Sequence, residues 1–308
     1  MEQIKRNKTL GLKTYGYLMP ALITITIFTL IPILYTIYIA FTDYTMFNEN
    51  YKFVGLANFI EILTGPFKEV FFPVFGWTFA FALLSTFGTF FVGLIVALVL
   101  SNKNMKEAFL YKGILIIPWA LPVTIAILSW QGLLNTDYGA INTFLINLHL
   151  IKEPIQWLTD PWYARTAIII VNIWLGFPYM MNVCIGAISA ISEDQYEAAE
   201  VDGASKWVQF VKITLPSLAR TAYPLLISSF AFNFNNFGSA FLITGGGPAK
   251  LDTQFAGYTD ILASTTYKLA MQFGRYDIGS ALSIMMFLLI GTISLVQMKS
   301  SGQFKEVE

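Results

Sequence analysis

Long runs without a single Asp, Glu, Lys or Arg divide this chain. Six of them stand out: Tyr15–Phe41, Thr78–Leu100, Gly113–Trp130, Thr166–Ile188, Thr221–Ile243 and Ile278–Met298. Apolar residues are continuous within them rather than alternating, which predicts helices and not barrel strands. A helix needs about 20 apolar residues to cross the hydrocarbon core of a bilayer, so each run is a candidate span. Pro20, Pro32, Pro118, Pro122, Pro178 and Pro224 lie inside the runs. In a membrane bundle these read as kinks, because neighbouring helices re-satisfy the freed carbonyls. The pattern predicts an all-α integral membrane protein with six transmembrane helices in one transmembrane domain, residues 1–308. The first run follows Lys5, Arg6, Lys8 and Lys13. It is too long for the apolar core of a signal peptide and lacks a small-residue cleavage pattern, so it reads as a retained span.

Composition agrees: 56% of the residues are hydrophobic and only 12% charged, about half the charge of an average soluble domain. Basic and acidic residues number 19 each, which leaves no basic surface for a nucleic acid. A single cysteine, Cys184, excludes an intrachain disulfide, and a single histidine, His149, excludes a histidine-rich metal centre. With the N-terminus in the cytoplasm, twelve basic residues fall inside and seven outside. That bias places both termini in the cytoplasm. Trp77, Trp157, Trp162 and Tyr163 cluster on the outer side, as an interfacial aromatic belt does.

The most polar cytoplasmic segment is Ser192–Pro216, SEDQYEAAEVDGASKWVQFVKITLP. Ser192 and Gln195 have the spacing of a capping box, and Glu193 and Asp194 suit the positive end of a helix. A helix through Glu197-Ala198-Ala199 is expected to turn at Gly203 and resume through Trp207 and Phe210 before the fifth span. Two readings stand for this short acidic element, a surface connector or a docking element for a cytoplasmic partner. The chain has no G-x-x-x-x-G-K-[ST] loop to cradle phosphates. Gly245-Gly246-Gly247-Pro248 lacks the Lys and reads as a tight outer turn.

The spans carry amides and hydroxyls where they carry no charge. Asn172, Leu175, Gly176 and Tyr179 share one face of the fourth span. Ser229, Asn233 and Asn236 are spaced for one face of the fifth, with Phe232 adjacent. Either interhelical hydrogen bonding or binding of a neutral, hydroxyl-rich ligand accounts for such stripes. A proton- or sodium-coupled carrier relying on a buried carboxylate is disfavoured, as is an intramembrane enzyme, which would want paired carboxylates or a histidine.

Glu197-Ala198-Ala199, Asp202-Gly203-Ala204, Phe210, Ile213 and Leu215-Pro216 together resemble the EAA loop of binding-protein-dependent ABC importer permeases. Asn172–Tyr179 (NIWLGFPY), Ser229–Phe237 (SFAFNFNNF), Gly246-Gly247-Pro248 and Ala256–Asp260 are similar to the larger permease subunits of maltose/maltodextrin importers. The resemblance is dense from about Ala164 onward. It implies substrate contacts at Asn172, Leu175, Gly176, Tyr179, Ser229, Phe232, Asn233 and Asn236. It also implies coupling to an ATPase through Glu197, Ala198, Ala199, Asp202 and Gly203, with Glu197 pairing a basic residue of that subunit. The implied partners are a second permease subunit, two ATPase copies and an extracellular sugar-binding protein, with membrane lipid around the spans. ATP and magnesium would belong to the partner chains. This chain would hold no cofactor or metal and catalyse no bond chemistry. A bacterial or archaeal plasma membrane follows as the location. Some relatives carry a large folded outer insertion where this chain has only Thr42–Trp77.

Overall fold

The computed structural model describes residues 16–48, 50–102, 105–251 and 253–300. Lys5, Arg6, Lys8, Lys13, Lys103 and Lys305, which enter the orientation count, lie outside these residues. Helices dominate, and the described residues add only two isolated β-bridges, Thr42 with Phe53 and Thr45 with Asn48. Helix α1 spans Gly16–Ala40 with a π turn at Thr26–Leu30. Helix α2 is the short Ala57–Leu63, and α3 is the long Lys68–Leu100. Three short helices follow, α4 Ala108–Leu115, α5 Ile117–Ala120 and α6 Val123–Leu133, then α7 Ala140–Asn147. The second long helix, α8, is Pro161–Ser189. Helix α9 is Glu193–Val201, and α10, Lys206–Gln209, runs through a π turn at Phe210–Thr214 into α11, Leu215–Phe234. Helices α12 Phe237–Thr244, α13 Leu262–Met271 and α14 Tyr276–Ser300 complete the chain.

Four described helices, α1, α3, α8 and α14, are long and apolar enough to cross a membrane, or five if the bent α4–α6 unit is one span. Two of the charge-free runs are not single rods. Gly113–Trp130 is broken between Ala120 and Val123, where the halves bend by 92°. Leu121 there is extended (φ −76°, ψ 147°), because the ring of Pro122 excludes the helical region for the residue before it. Pro118 and Pro122 therefore bracket a break and not the mild kink the sequence predicts. Thr221–Ile243 is divided at Asn235, which ends α11, and at Asn236, which caps α12. Helices α3 and α8 also start earlier than predicted. At about 1.5 Å per residue, α3's 33 residues exceed the roughly 30 Å hydrocarbon core, so their ends reach beyond it.

Helices α3 and α8 form the centre of the bundle. Phe81 of α3 meets Ile168 and Val171 of α8 in one buried cluster, while Leu94 meets Met180 and Leu218 in another. A third cluster joins the N-terminal half of α3 to α14 and α13 through Phe71, Val74, Ile278 and Leu269. Close approach of α3 and α8 depends on small residues, the usual device where lipid is as apolar as leucine. A Cβ on Gly93 would lie 2.7 Å from the Met181 backbone nitrogen, whereas one on Gly88 would meet the tip of Ile173. Backbone cannot rotate away and a side-chain tip can. Gly93→Ala is therefore expected to lower stability by about 1–3 kcal/mol and Gly88→Ala by less. Thermal midpoints of the two variants in detergent check the order.

The apolar surface of α1 faces outward almost throughout, with Tyr17, Phe28 and Leu34 exposed. At its C-terminal end the buried Asn58 donates its Nδ2 to the carbonyls of Ala40 and Thr42, each at 2.8 Å. These are the acceptors a helix end leaves without partners. Arg275 joins α2 to α14, lying 3.6 Å from Glu61 and 3.0 Å from Asp277.

Candidate functional site

Helices α3, α5, α6, α8, α11 and α12 enclose a cavity of about 370 Å³. All eight residues singled out on the two stripes line it: Asn172, Leu175, Gly176 and Tyr179 from α8, Ser229, Phe232 and Asn233 from α11, and Asn236 from the joint. Asn236 reaches the same cavity by a different route from the one its spacing suggests. It is not a third position on a continuous α11 face but the N-cap of α12, where its Oδ1 accepts from the Ser239 N–H at 3.3 Å. The break converts an i+7 residue into a capping residue and still aims its amide at α8.

The amides form a connected floor. Asn172 Nδ2 donates to Asn233 Oδ1 at 2.8 Å, and Asn233 Nδ2 donates to Thr86 Oγ1 at 3.1 Å. Asn172 Oδ1 accepts from Asn236 Nδ2 at 2.8 Å and from Ser239 Oγ at 3.0 Å. Asn172 and Asn233 are each only 5% exposed. The network ties α3, α8, α11 and α12 together, so interhelical bonding is one realised role of the stripes. An amide carries two N–H donors and an acceptor oxygen; these bonds use one N–H of Asn172 and one of Asn233, whereas Asn236 Nδ2 also donates to Ser239 Oγ at 3.2 Å. Above the floor stand rings that do not close over it: Tyr179 is 40% and Phe232 71% exposed. Gly176 keeps the wall thin, since a Cβ there would lie 2.6 Å from Thr89 Cγ2. Among the described residues no charged side chain lines the cavity.

Sequence reasoning missed Thr86, Thr89, Trp119, Ser228 and Ser239. Ser85-Thr86 and Thr89 form a hydroxyl patch in an otherwise apolar run, a signal as visible as the asparagines. Trp119 could not be placed before the break between α5 and α6 was known.

At the other end of the bundle the Ser192–Pro216 segment forms α9, a turn and α10. Gly203 makes the turn with φ of 77°, a left-handed conformation that glycine adopts without Cβ strain. Ser192 is the N-cap but makes no side-chain capping bond, so the capping box predicted with Gln195 does not form. Glu193 and Asp194 occupy the first turn. Tyr196 Oη and Thr214 Oγ1 bond at 2.8 Å and fasten α9 to the π turn leading into α11. This bond links α9 to the helix that carries Ser229, Phe232 and Asn233.

Glu200 pairs with Lys206, whose hydrogen bond holds its carboxyl below the ordinary carboxylate range. Glu197, by contrast, is exposed and makes no ion pair among the described residues. Ala198 and Asp202 are exposed as well, and Ala199 is half-buried. A groove of about 1160 Å³ runs beside them, lined in part by Glu193, Glu197, Lys112 and Lys206. Among the described residues no cluster of His, Cys, Asp or Glu could hold a metal ion.

On the predicted outer side, Gly245-Gly246-Gly247-Pro248 is a turn after α12, with Gly245 and Gly246 at positive φ. The fully buried Asp260 accepts from Gly257 N at 2.7 Å, Ser264 Oγ at 2.7 Å and Lys268 Nζ at 2.6 Å. A Cβ on Gly246 would fall 2.1 Å from its Oδ1. This network holds the loop between α12 and α13.

Comparison with known proteins adds to this geometry. Residues 89–301 match the model of a family described as the binding-protein-dependent transport system inner membrane component. A maltose/maltodextrin transport system permease protein MalF from Klebsiella aerogenes is 42% identical over 253 residues, covering 80% of this chain and 49% of that protein. Its counterpart from Escherichia coli K12 is 41% identical over 252 residues, again 80% of this chain and 49% of the relative. The chain thus spans about half the length of the curated relatives it matches. Among solved structures, a bacterial ABC transporter involved in the import of the acidic polysaccharide alginate superposes with a TM-score of 0.82, 23% identity and coverage of 98% and 99% of the two chains.

Proposed function

We propose that this chain, which belongs to the family of binding-protein-dependent transport system inner membrane components, is the sugar-conducting permease of an ATP-driven importer for maltose or maltodextrins. The observation that carries the reading is the cavity: a floor of amides and hydroxyls, exposed rings above it and no charge in its lining. Amides both donate to and accept from hydroxyls, and rings lie against the apolar face of a sugar. The choice of maltose among neutral sugars is supported by the 42% identity to the MalF relatives. The alginate importer shares the fold at 23% identity. An acidic polysaccharide would want Arg or Lys, and among the described residues neither lines the cavity.

A second permease, two ATPase copies and an extracellular sugar-binding protein would complete the machine, in the plasma membrane with both termini cytoplasmic. Closure of the ATPase pair would push α9, and the Tyr196–Thr214 link would carry that motion into α11. Rotation of α11 against α8 would open the cavity first outward and then inward. ATP and its magnesium would stay on the partner chains, so this chain would contribute shape and coupling. Another neutral sugar, polyol or oligosaccharide would use the same machine with a different ligand.

The test is uptake of labelled maltose and maltotriose by cells lacking the gene, with and without complementation. Loss on deletion and recovery with the wild-type gene are expected. Unaffected uptake of both sugars, with no redundant importer expressed, would refute the maltodextrin assignment.

A further inference from the structure

We propose that one side of the helical rod joining α10 to α11 binds an anionic phospholipid of the cytoplasmic leaflet, with Lys212 and Arg220 holding its headgroup. The site stands apart from sugar recognition and uses only the proposed orientation, with α10 in the cytoplasm. Helix α10, the π turn and α11 run on without a break, since Phe210 and Leu215 at the joints both have helical backbone angles. Burial follows the helical repeat. Thr214, Leu218 and Ala222 are buried, and Leu225 and Ser229 continue that side into the cavity. Lys212, Pro216, Ala219, Arg220 and Tyr223 are exposed and lie on the opposite side, turned away from the cavity. Further along, α3 closes this side. Phe230 meets Phe79 with ring centroids 5.4 Å apart, and Phe234 meets Phe75 at 6.4 Å.

Charge and depth identify the occupant of the open part. The stretch from Lys206 to Phe234 contains no Asp or Glu. Lys206 is paired with Glu200, whereas Lys212 and Arg220 make no ion pair or hydrogen bond among the described residues. The other two described arginines are engaged. Arg165 donates to Tyr258 O at 2.9 Å and lies 4.4 Å from the Trp77 ring centroid, and Arg275 pairs with Glu61 and Asp277. Arg220 immediately precedes the charge-free run Thr221–Ile243, so it stands at the edge of the hydrocarbon core, next to the headgroups. A protein occupant would have to place a carboxylate at that depth, which is costly. A phospholipid already carries its phosphate there. Two cations with no acid beside them favour a headgroup that brings no ammonium of its own. Helical side chains lean toward the N-terminus, which carries Arg220 toward Lys212, about 12 Å away along the axis. The acyl chains would then run past Ala219 and Tyr223 toward the Phe230–Phe79 contact. Because the same rod carries Asn233, a lipid gripping it would make coupling between α10 and the cavity sensitive to membrane charge.

The experiment uses the complete importer in phosphatidylcholine vesicles in which one lipid in three is phosphatidylglycerol. The complex is extracted in mild detergent, and the lipids it retains are quantified by mass spectrometry. Phosphatidylglycerol should be enriched on the wild type above its share of the vesicle. Lys212→Gln and Arg220→Gln should each lower that retention about fivefold, equivalent to about 1 kcal/mol, while Arg220→Lys keeps most of it. Lys152→Gln removes an exposed lysine before α8 and should leave retention unchanged, which separates a site from general attraction to basic protein. Should the Gln variants fail to assemble, photoactivatable phosphatidylglycerol on the wild type should label peptides of the Lys206–Tyr223 stretch, and the phosphatidylcholine analogue should not. No enrichment on the wild type, equal retention in the Gln variants, or labelling only elsewhere would overturn the proposal. Loss of a partner subunit from the Gln variants with lipid retention unchanged would also overturn it and make this side a protein contact. Retention is read without sugar, so failure of the wild type to transport maltose would overturn the permease reading alone.

Discussion

Glu197→Lys is expected to abolish sugar uptake and ATPase association while the chain still inserts into the membrane. Glu197 is exposed on α9 and has no internal ion pair among the described residues. Exposed substitutions of this kind usually change stability by less than about 0.5 kcal/mol. An interface built around it would respond far more strongly. Truncating one partner of a buried charge pair costs about 2–5 kcal/mol, or roughly 30-fold to several-thousand-fold in association, and reversing the sign adds repulsion. Glu200→Lys makes a sharp comparison from the next turn of the same helix. Glu200 is already paired with Lys206, so its loss should disturb α10 locally and weaken association less. Membrane-fraction blotting measures insertion, and co-purification of the ATPase measures coupling. Normal co-purification and uptake in Glu197→Lys would remove α9 from the coupling role.

The helical membrane class was legible because absence of charge over some 20 residues is a global property that tertiary context does not alter. The two stripes were legible for a related reason: polar residues in a charge-free run must face protein or ligand. Where the reading departed from the structure, local backbone chemistry prevailed over the hydropathy pattern. Pro122 broke one run, and Asn235 and Asn236 divided another, leaving both still apolar on average. Periodicity therefore placed Asn236 on α11, although it caps α12. The Ser192–Gln195 spacing suggested a capping box, but spacing does not fix a side-chain rotamer, and the cap bond is absent. Thr86 was overlooked because hydroxyls inside an apolar run commonly bond their own helix backbone, as Thr78 and Thr89 do here. Only the packing of α3 on α11 shows Thr86 accepting from Asn233.

That bond also makes the role of Asn233 separable from its packing. Asn233→Ala removes the partners of Asn172 Nδ2 and Thr86 Oγ1. Leaving buried polar groups unsatisfied costs about 1–3 kcal/mol, so some loss of stability is expected whatever the ligand. Thr86→Val deletes the same α3–α11 bond from the side that does not line the cavity. If Asn233 only joins helices, Asn233→Ala should assemble less well than Thr86→Val, because it also frees Asn172 Nδ2, but the two should transport alike per assembled complex. If its amide also holds a sugar hydroxyl, Asn233→Ala should transport far less sugar per assembled complex than Thr86→Val. Loss of one further hydrogen bond at about 1–3 kcal/mol corresponds to roughly 5- to 150-fold. Initial uptake rates at low maltose, normalised to the complex recovered from the membrane, decide between the two. Equal normalised rates would confine Asn233 to the interhelical network and shift sugar recognition to the rings of Tyr179, Phe232 and Trp119.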